Sequence, residues 1–255
     1  MVKAVLLDLD GTVYKGNEMV EGADAAIANM RKQNIRVFFC TNNSSMMPSS
    51  IKKKLNKMGI DCREDDIISS GIIAIKYVQE HNYRNVYLLT SDELKKGFAD
   101  IGIKECDVNN TDVMVIGMDA DYCYEKMIKG LRAALNSKTI IACNEDRWFK
   151  KEDGVYPGNG AIVSSITYPS GKKVDVLIGK PSTIMPDYIV KRYNYQRNEV
   201  VIIGDSMESD GEMAAVFGCD FIIVSENDVP NRGIKSLKDT MYWDWNDYSS
   251  MIGSH

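Results

Sequence analysis

The chain has 255 residues, 44% apolar and 26% charged, and its 31 Lys and Arg against 36 Asp and Glu give a formal net charge of −5. That length and balance suit one large soluble domain or two smaller ones with a real core. With no basic block, nucleic acid is excluded as the main ligand, and no apolar run is long enough to span a membrane. The amino-terminal residues form a charged strand motif, so no secretory signal and a cytoplasmic location are expected. The six cysteines (Cys40, Cys62, Cys106, Cys123, Cys143 and Cys219) form no CxxC pair and read as reduced thiols.

The apolar run 4–7 predicts a short buried strand. Asp8, Asp10, Gly11 and Thr12 follow it. Residues 22–33 predict a helix and 35–40 a second buried strand, ending in Thr41-Asn42-Asn43-Ser44. Ser49-Ser50 is expected to cap a helix over 51–58 that Gly59 stops. An acidic link over 60–68 leads to helices at 71–80 and 92–101, around a strand at 86–89. A strand at 113–116, a helix at 124–135 and a strand at 139–143 come next. Asn144, Glu145, Asp146 and Arg147 decorate that strand's end. Residues 148–156 read as irregular or as a hairpin, 157–160 as a turn, and 161–167 as the opening of a helix. A strand at 174–178 runs into Gly179-Lys180-Pro181. A helix at 183–193, a strand at 199–203 ending in Gly204-Asp205, a helix at 209–217 and a strand at 220–224 complete the readable part. In the tail, Tyr242, Trp243 and Trp245 are expected to pack at an edge.

The strand–helix alternation at both ends predicts a doubly wound parallel α/β sheet. The middle has strands and helices of its own and reads as an insertion. The expected division is a core of 1–68 and 176–255 with an inserted domain of 69–175.

Four polar clusters each follow an apolar strand: Asp8/Asp10/Thr12, Thr41/Asn42/Asn43, Lys180 and Asp205/Asp210. Ligands of open α/β sheets bind at that end of the strands. Asp8 and Asp10, two residues apart, repel each other unless a cation sits there, and Mg²⁺ suits hard oxygen ligands. Thr41, Asn42 and Lys180 can surround an anion with donors. The only histidines, His81 and His255, lack a catalytic setting. Asp8 is therefore the natural nucleophile on phosphorus, giving an aspartyl phosphate. Asp10 can protonate the leaving oxygen and then activate water. Asp205 reads as a metal ligand, and Asp210 as a group that holds a metal-bound water or orients Lys180. Tyr122, Tyr124 and Trp148 either line a substrate pocket or pack the insert.

These residues resemble the haloacid dehalogenase (HAD) superfamily of Mg²⁺-dependent phosphotransferases. Its DxDx[TV] motif is matched by residues 8–12, its strand-end Thr or Ser by Thr41, its lysine by Lys180, and its GDxxxxD pair by Gly204 to Asp210. The insertion falls between Thr41 and Lys180, an arrangement similar to the NagD / p-nitrophenyl phosphatase group with its large α/β cap. Gly117-Met118-Asp119 and Pro157-Gly158-Asn159-Gly160-Ala161 add to the likeness. Ser209, where many relatives have Thr, is a conservative departure.

The resemblance implies a Rossmann-like core with an inserted α/β cap. It implies Mg²⁺ held by the Asp8 side chain, the Asp10 backbone carbonyl and Asp205. Thr41 and the Asn42 backbone would contact phosphoryl oxygens, Asn43 would shape the pocket, and Lys180 would neutralise charge. Cap residues Asn144, Asp146 and Arg147 are expected to face the leaving group, with cap closure excluding water. A small phosphorylated metabolite is the expected partner, and homodimerisation through the cap is known among relatives. The reading is a Mg²⁺-dependent phosphomonoester hydrolase. A phosphotransferase or mutase on the same core, or a non-enzymatic phospho-acceptor, are the alternatives.

Overall fold

The computed structural model describes residues 1–151, 153–225 and 233–251. His255 lies outside the described residues. The chain forms two compact units. One comprises Met1–Thr41, Ile51–Ile68 and the described part of Lys180–His255, and the other Asn42–Ser50 and Ser69–Gly179.

The first unit is built on a six-stranded sheet. Its order is Gly233–Ile234, Asp220–Val224, Val200–Gly204, Ala4–Leu7, Arg36–Thr41, Ile67–Ser69. Ala4–Leu7 pairs in parallel on both sides, Ala4 standing opposite Arg36 and Val200. Strands buried on both faces need apolar side chains throughout. Leu6, Leu7, Phe38, Phe39, Ile202 and Ile203 supply them, all essentially without solvent contact. Each such side chain contributes roughly 1.5–3 kcal/mol by leaving water. From Ala4–Leu7 the chain goes on to one neighbour, Arg36–Thr41, and returns later on the other side at Val200–Gly204. The central strand's carboxyl end is thus the switch point of the sheet, and Asp8 follows directly.

Helices Ala23–Lys32, Ile184–Tyr193 and Glu212–Phe217 belong to this unit. Helix Pro48–Lys57 begins on a proline in place of the expected serine cap, a position where a missing N–H is harmless. Of the tail aromatics, Trp243 and Trp245 are buried and Tyr242 is exposed. Asn29 and Gln33 donate to the Trp243 carbonyl at 3.0 and 2.7 Å, which ties the tail to the first helix. The acidic link contributes strand Ile67–Ser69 at the sheet edge, where only a connection was expected.

The second unit has a four-stranded parallel sheet in the order Val176–Leu177, Thr139–Ala142, Val113–Ile116, Val86–Leu89. Helices Ser70–Glu80, Asp92–Asp100, Tyr124–Asn136 and Asn159–Ser170 accompany it. Leu89, Met114, Ile116, Ile140, Ile162 and Ile166 form its core. Strands Trp148–Lys151 and Gly154–Pro157 pair antiparallel.

The division differs from the expected one at two places. Strand Val176–Leu177 pairs with Thr139–Ala142, Val176 opposite Ile141, so the first unit resumes only at Lys180. Residues 42–50 go with the second unit. The Ser44 hydroxyl accepts from the Met118 N–H at 2.9 Å, the Ser91 hydroxyl donates to the Ser45 carbonyl at 2.8 Å, and the Met47 N–H donates to Glu93 at 2.7 Å.

Candidate active site

Asp8 leaves the central strand buried, as its 8% exposure shows, and its N–H donates to the Ile203 carbonyl at 2.9 Å. Lys180, also buried, donates to Asp8 Oδ1 and, at 2.8 Å, to Asp210 Oδ1. Carboxylate oxygens of Asp8, Asp205 and Asp210 lie within 4.8 Å of one another. Three acids against one ammonium leave the cluster short of positive charge. The electrostatics reflect this. Burial pushes the Asp8 carboxyl up to about 7, with Lys180 opposing and Asp210 adding to the rise. Asp205 is raised as well, first by desolvation and then by Asp210. Burial works against the Lys180 charge, but Asp210 and Asp8 beside it hold the ammonium well above the usual lysine range.

These residues fit a hard divalent cation. Asp210 Oδ2 is buried with no hydrogen-bond partner among the described residues, and the donors around it are carboxylate oxygens, the ligand type Mg²⁺ takes. The backbone is cut to bring the acids together. A Cβ at Gly204 would collide with the Asp210 carboxyl, and one at Gly11, whose φ is +95°, would collide with Asp205.

Asp10 is exposed, and its carboxylate stands outside the three-acid cluster. Its loop is fixed by the Gly11 N–H donating to the Tyr14 carbonyl at 2.7 Å and by a weaker bond, 3.4 Å, from the Gly16 N–H to Asp10 Oδ1. Thr12 is fully buried beneath it. Thr41 ends strand Arg36–Thr41, the fifth of the six from the Gly233–Ile234 edge and the neighbour of the central strand. A residue the sequence did not single out joins this group. Lys54 sits with its ammonium 3.8 Å from the centre of the Tyr14 ring, a cation–π contact whose only sequence signal is a run of three lysines.

In the second unit the predicted residues fall into one hydrogen-bonded cluster. The Asn42 side chain donates to Asp146 Oδ1 at 2.9 Å, and Asn43 Oδ1 accepts from the N–H groups of Ser45 and Met46. Asn144 is buried, and its amide nitrogen donates to the Asn42 carbonyl at 2.7 Å. Its amide nitrogen is thus engaged inside the second unit. Asp146 and Arg147 are exposed. Ser70, which precedes the helix expected at 71–80, and Asn159, from the expected turn at 157–160, also belong to the cluster. Of the three aromatics, Tyr122 bonds Ser165 at 2.5 Å, whereas Tyr124 and Trp148 are exposed. No helix among the described residues is long and apolar enough to cross a membrane.

Known proteins are similar to this chain in sequence and in fold. A family model for haloacid dehalogenase-like hydrolases matches residues 5–104, and a second, for HAD-hydrolase-like chains, matches 177–234. An acid sugar phosphatase of Staphylococcus saprophyticus is 34% identical over 209 residues, 82% of this chain and 80% of that protein. The solved 4-nitrophenylphosphatase of Thermotoga maritima superposes with a TM-score of 0.88 at 26% identity, covering 95% of this chain and 97% of the other. A solved chain named as a nagD protein gives 0.85 at 27% identity, covering 92% and 96%. The chain belongs to the haloacid dehalogenase-like hydrolases, in the NagD and p-nitrophenyl phosphatase group with its inserted α/β cap domain, and is a phosphatase.

Proposed function

We propose that this phosphatase hydrolyses small phosphomonoesters, sugar phosphates foremost, through an aspartyl phosphate on Asp8 and with Mg²⁺ as cofactor. The observation that carries the reading is the buried Asp8–Lys180–Asp210 cluster at the carboxyl end of the central strand. The sugar-phosphate preference rests on relatives named acid sugar phosphatase.

Lys180 holds Asp8 Oδ1, which fixes the carboxylate's orientation and leaves its other oxygen to attack phosphorus. The bond from that oxygen to phosphorus forms as the bond to the leaving alkoxide breaks. Asp10 gives the alkoxide its proton. Asp10 then takes a proton from water as that water attacks phosphorus and the bond to Asp8 breaks, which releases phosphate and restores the Asp8 carboxylate and the protonated Asp10. Thr41, the Asn42 backbone and Lys180 oppose the charge on the phosphoryl oxygens, and Asn43 shapes their surroundings. Asp8, the Asp10 carbonyl and Asp205 would hold the Mg²⁺, and Asp210 orients Lys180. When bound, the cation supplies the positive charge that favours ionised Asp8 and the transferring phosphoryl group.

The test is phosphate release from a panel of phosphorylated metabolites, with Mg²⁺ or with chelator, wild type beside Asp8→Asn. The reading requires release that depends on Mg²⁺ and disappears in the variant. Phosphoryl exchange onto added acceptors without net release would instead indicate a transferase. Activity retained by Asp8→Asn would refute the nucleophile assignment.

A further inference from the structure

We infer that Asn144 is a positioning residue. From inside the cap domain it fixes the peptide plane after Asn42, the residue next to Thr41 in the phosphate-binding motif. This rests on the phosphatase reading above and names a part of the machinery that reading does not contain.

The geometry is a relay of buried amides. Asn159, the first residue of helix Asn159–Ser170 and 2% exposed, donates from Nδ2 to the Asn144 carbonyl at 2.7 Å and more weakly to the Ile116 carbonyl at 3.4 Å. Its Oδ1 has no hydrogen-bond partner among the described residues. Both neighbours of Nδ2 are carbonyl oxygens, so the orientation of that amide is fixed by chemistry. Asn144, 3% exposed, donates in turn to the Asn42 carbonyl at 2.7 Å and to Ser44 Oγ at 3.3 Å, while its Oδ1 accepts from the Asp146 N–H at 3.1 Å.

The Asn42 carbonyl receives a second donor, the Ser70 hydroxyl at 2.7 Å, from helix Ser70–Glu80. Two donors on one carbonyl settle its direction. The peptide is planar, so they also settle the direction of the Asn43 N–H on its far side and restrict the torsion that links this plane to the Asn42 N–H. Asp146, held by Asn144 through its own N–H, completes the clamp by accepting from the Asn42 side chain. A buried amide is costly to leave unpaired, so each member has one low-energy arrangement. Donors for a transition-state oxyanion act through preorganisation, and a displacement of about 1 Å can lower rate by about a hundredfold. The relay gives this short loop, which has no regular structure of its own, the rigidity of the four-stranded sheet and its helix.

The experiment compares wild type, Asn144→Ala and Ser70→Ala, each variant removing one of the two donors to the same carbonyl. Each is measured for kcat and KM on the best substrate, for inhibition by orthovanadate, and for the Mg²⁺ concentration that half-saturates activity. Positioning predicts that both variants lose about ten- to a hundredfold in kcat and in orthovanadate affinity. KM should change less, and the Mg²⁺ midpoint should stay within about twofold, since the acids sit on other strands. The double variant should be less than multiplicative, because the two donors act on one group.

Wild-type kcat and vanadate affinity in a folded Asn144→Ala or Ser70→Ala protein overturn the inference, as does a loss confined to the folded fraction with turnover per active site unchanged. If Asn144→Ala does not fold, Ser70→Ala and Asn159→Ser, which leaves Asn144 in place but unsupported, decide the matter by the same readouts. Wild-type protein that neither releases phosphate nor binds vanadate refutes the phosphatase reading, and the positioning role with it. An active wild type with unaffected variants refutes the positioning role alone.

Discussion

Gly11 stands so close to Asp205 that a single added carbon would occupy the place of the carboxylate. Its φ of +95° is also one that L side chains rarely adopt. Gly11→Ala therefore carries two penalties. Backbone strain should lower stability by about 1–3 kcal/mol. Displacement of Asp205 should weaken Mg²⁺ binding as well. Denaturant unfolding with and without Mg²⁺ checks both. A variant whose metal-free stability and Mg²⁺-dependent stabilisation equal those of wild type would show that neither contact matters.

Lys180 is the single buried ammonium between Asp8 and Asp210. Lys180→Met keeps the volume and removes the charge. Breaking a buried ion pair leaves uncompensated carboxylates, so the metal-free variant should lose about 3–5 kcal/mol at pH 8. The loss should be smaller at pH 5, where protons can replace the ammonium. Turnover should fall by about 10²–10³. Mg²⁺ should nonetheless bind more tightly, because one positive charge has left the cluster. Calorimetric titration of the folded variant checks that last direction, and weaker Mg²⁺ binding would count against the charge argument.

On the proposed Mg²⁺ assignment, Asp8 should couple metal binding to pH. Its carboxyl sits near 3.8 in the unfolded chain and is pushed up to about 7 in the metal-free fold, chiefly by burial. Between those values the native state holds a proton that the unfolded state has released. The unfolded state then binds fewer protons, so metal-free stability falls as pH rises through this window. Asp8→Asn has no such proton and should show a flatter profile over the same range. Mg²⁺ must displace the proton, so its affinity for wild type should rise with pH up to about 7 and level off above it. Thermal unfolding at fixed Mg²⁺ from pH 5 to pH 8 checks the slope. A Mg²⁺ affinity independent of pH would place the proton elsewhere.

The acidic cluster was legible in sequence for a physical reason. A four-residue apolar run that becomes Ala4–Leu7 can only be a strand buried on both faces, and acids directly after it must lie at the strand's end. The close approach of Gly204 to the Asp210 carboxyl, by contrast, shows only in the structure. What stayed hidden lacks periodicity. Strand Val176–Leu177 has two residues, and nothing in so short a run tells which sheet will take it. Asn144 read as a polar residue at a strand end expected to face the leaving group, yet a hydrogen-bond partner of its amide lies 102 positions away. Ser70 stood just before an expected helix and Asn159 in an expected turn, places where a polar side chain can make either a local cap or a long-range bond.

Asp66 gives a prediction away from the reaction. It is buried and accepts five hydrogen bonds, two from Arg36 and two from the Arg63 guanidinium, with the Arg63 N–H as the fifth. Arg36 also stacks on Tyr193, its guanidinium 4.0 Å from the ring centre. Burial alone would raise the Asp66 carboxyl, but the bonds from Arg63 and Arg36 outweigh it and hold the group below its ordinary 3.8. A depressed native value means stability that is present above 3.8 and lost as pH falls through the lower one. Asp66→Asn should therefore cost about 1.5–3 kcal/mol at pH 7, the range for hydrogen bonds to a charged group. The difference from wild type should shrink as pH drops below about 4. Arg36 opens the strand whose other end carries Thr41, so kcat per folded molecule should stay within about twofold of wild type. Urea unfolding at pH 7 and pH 3.5, with active-site-normalised turnover, checks both halves. A stability gap that does not narrow in acid would assign the cost to packing of the new side chain, not to the lost charge.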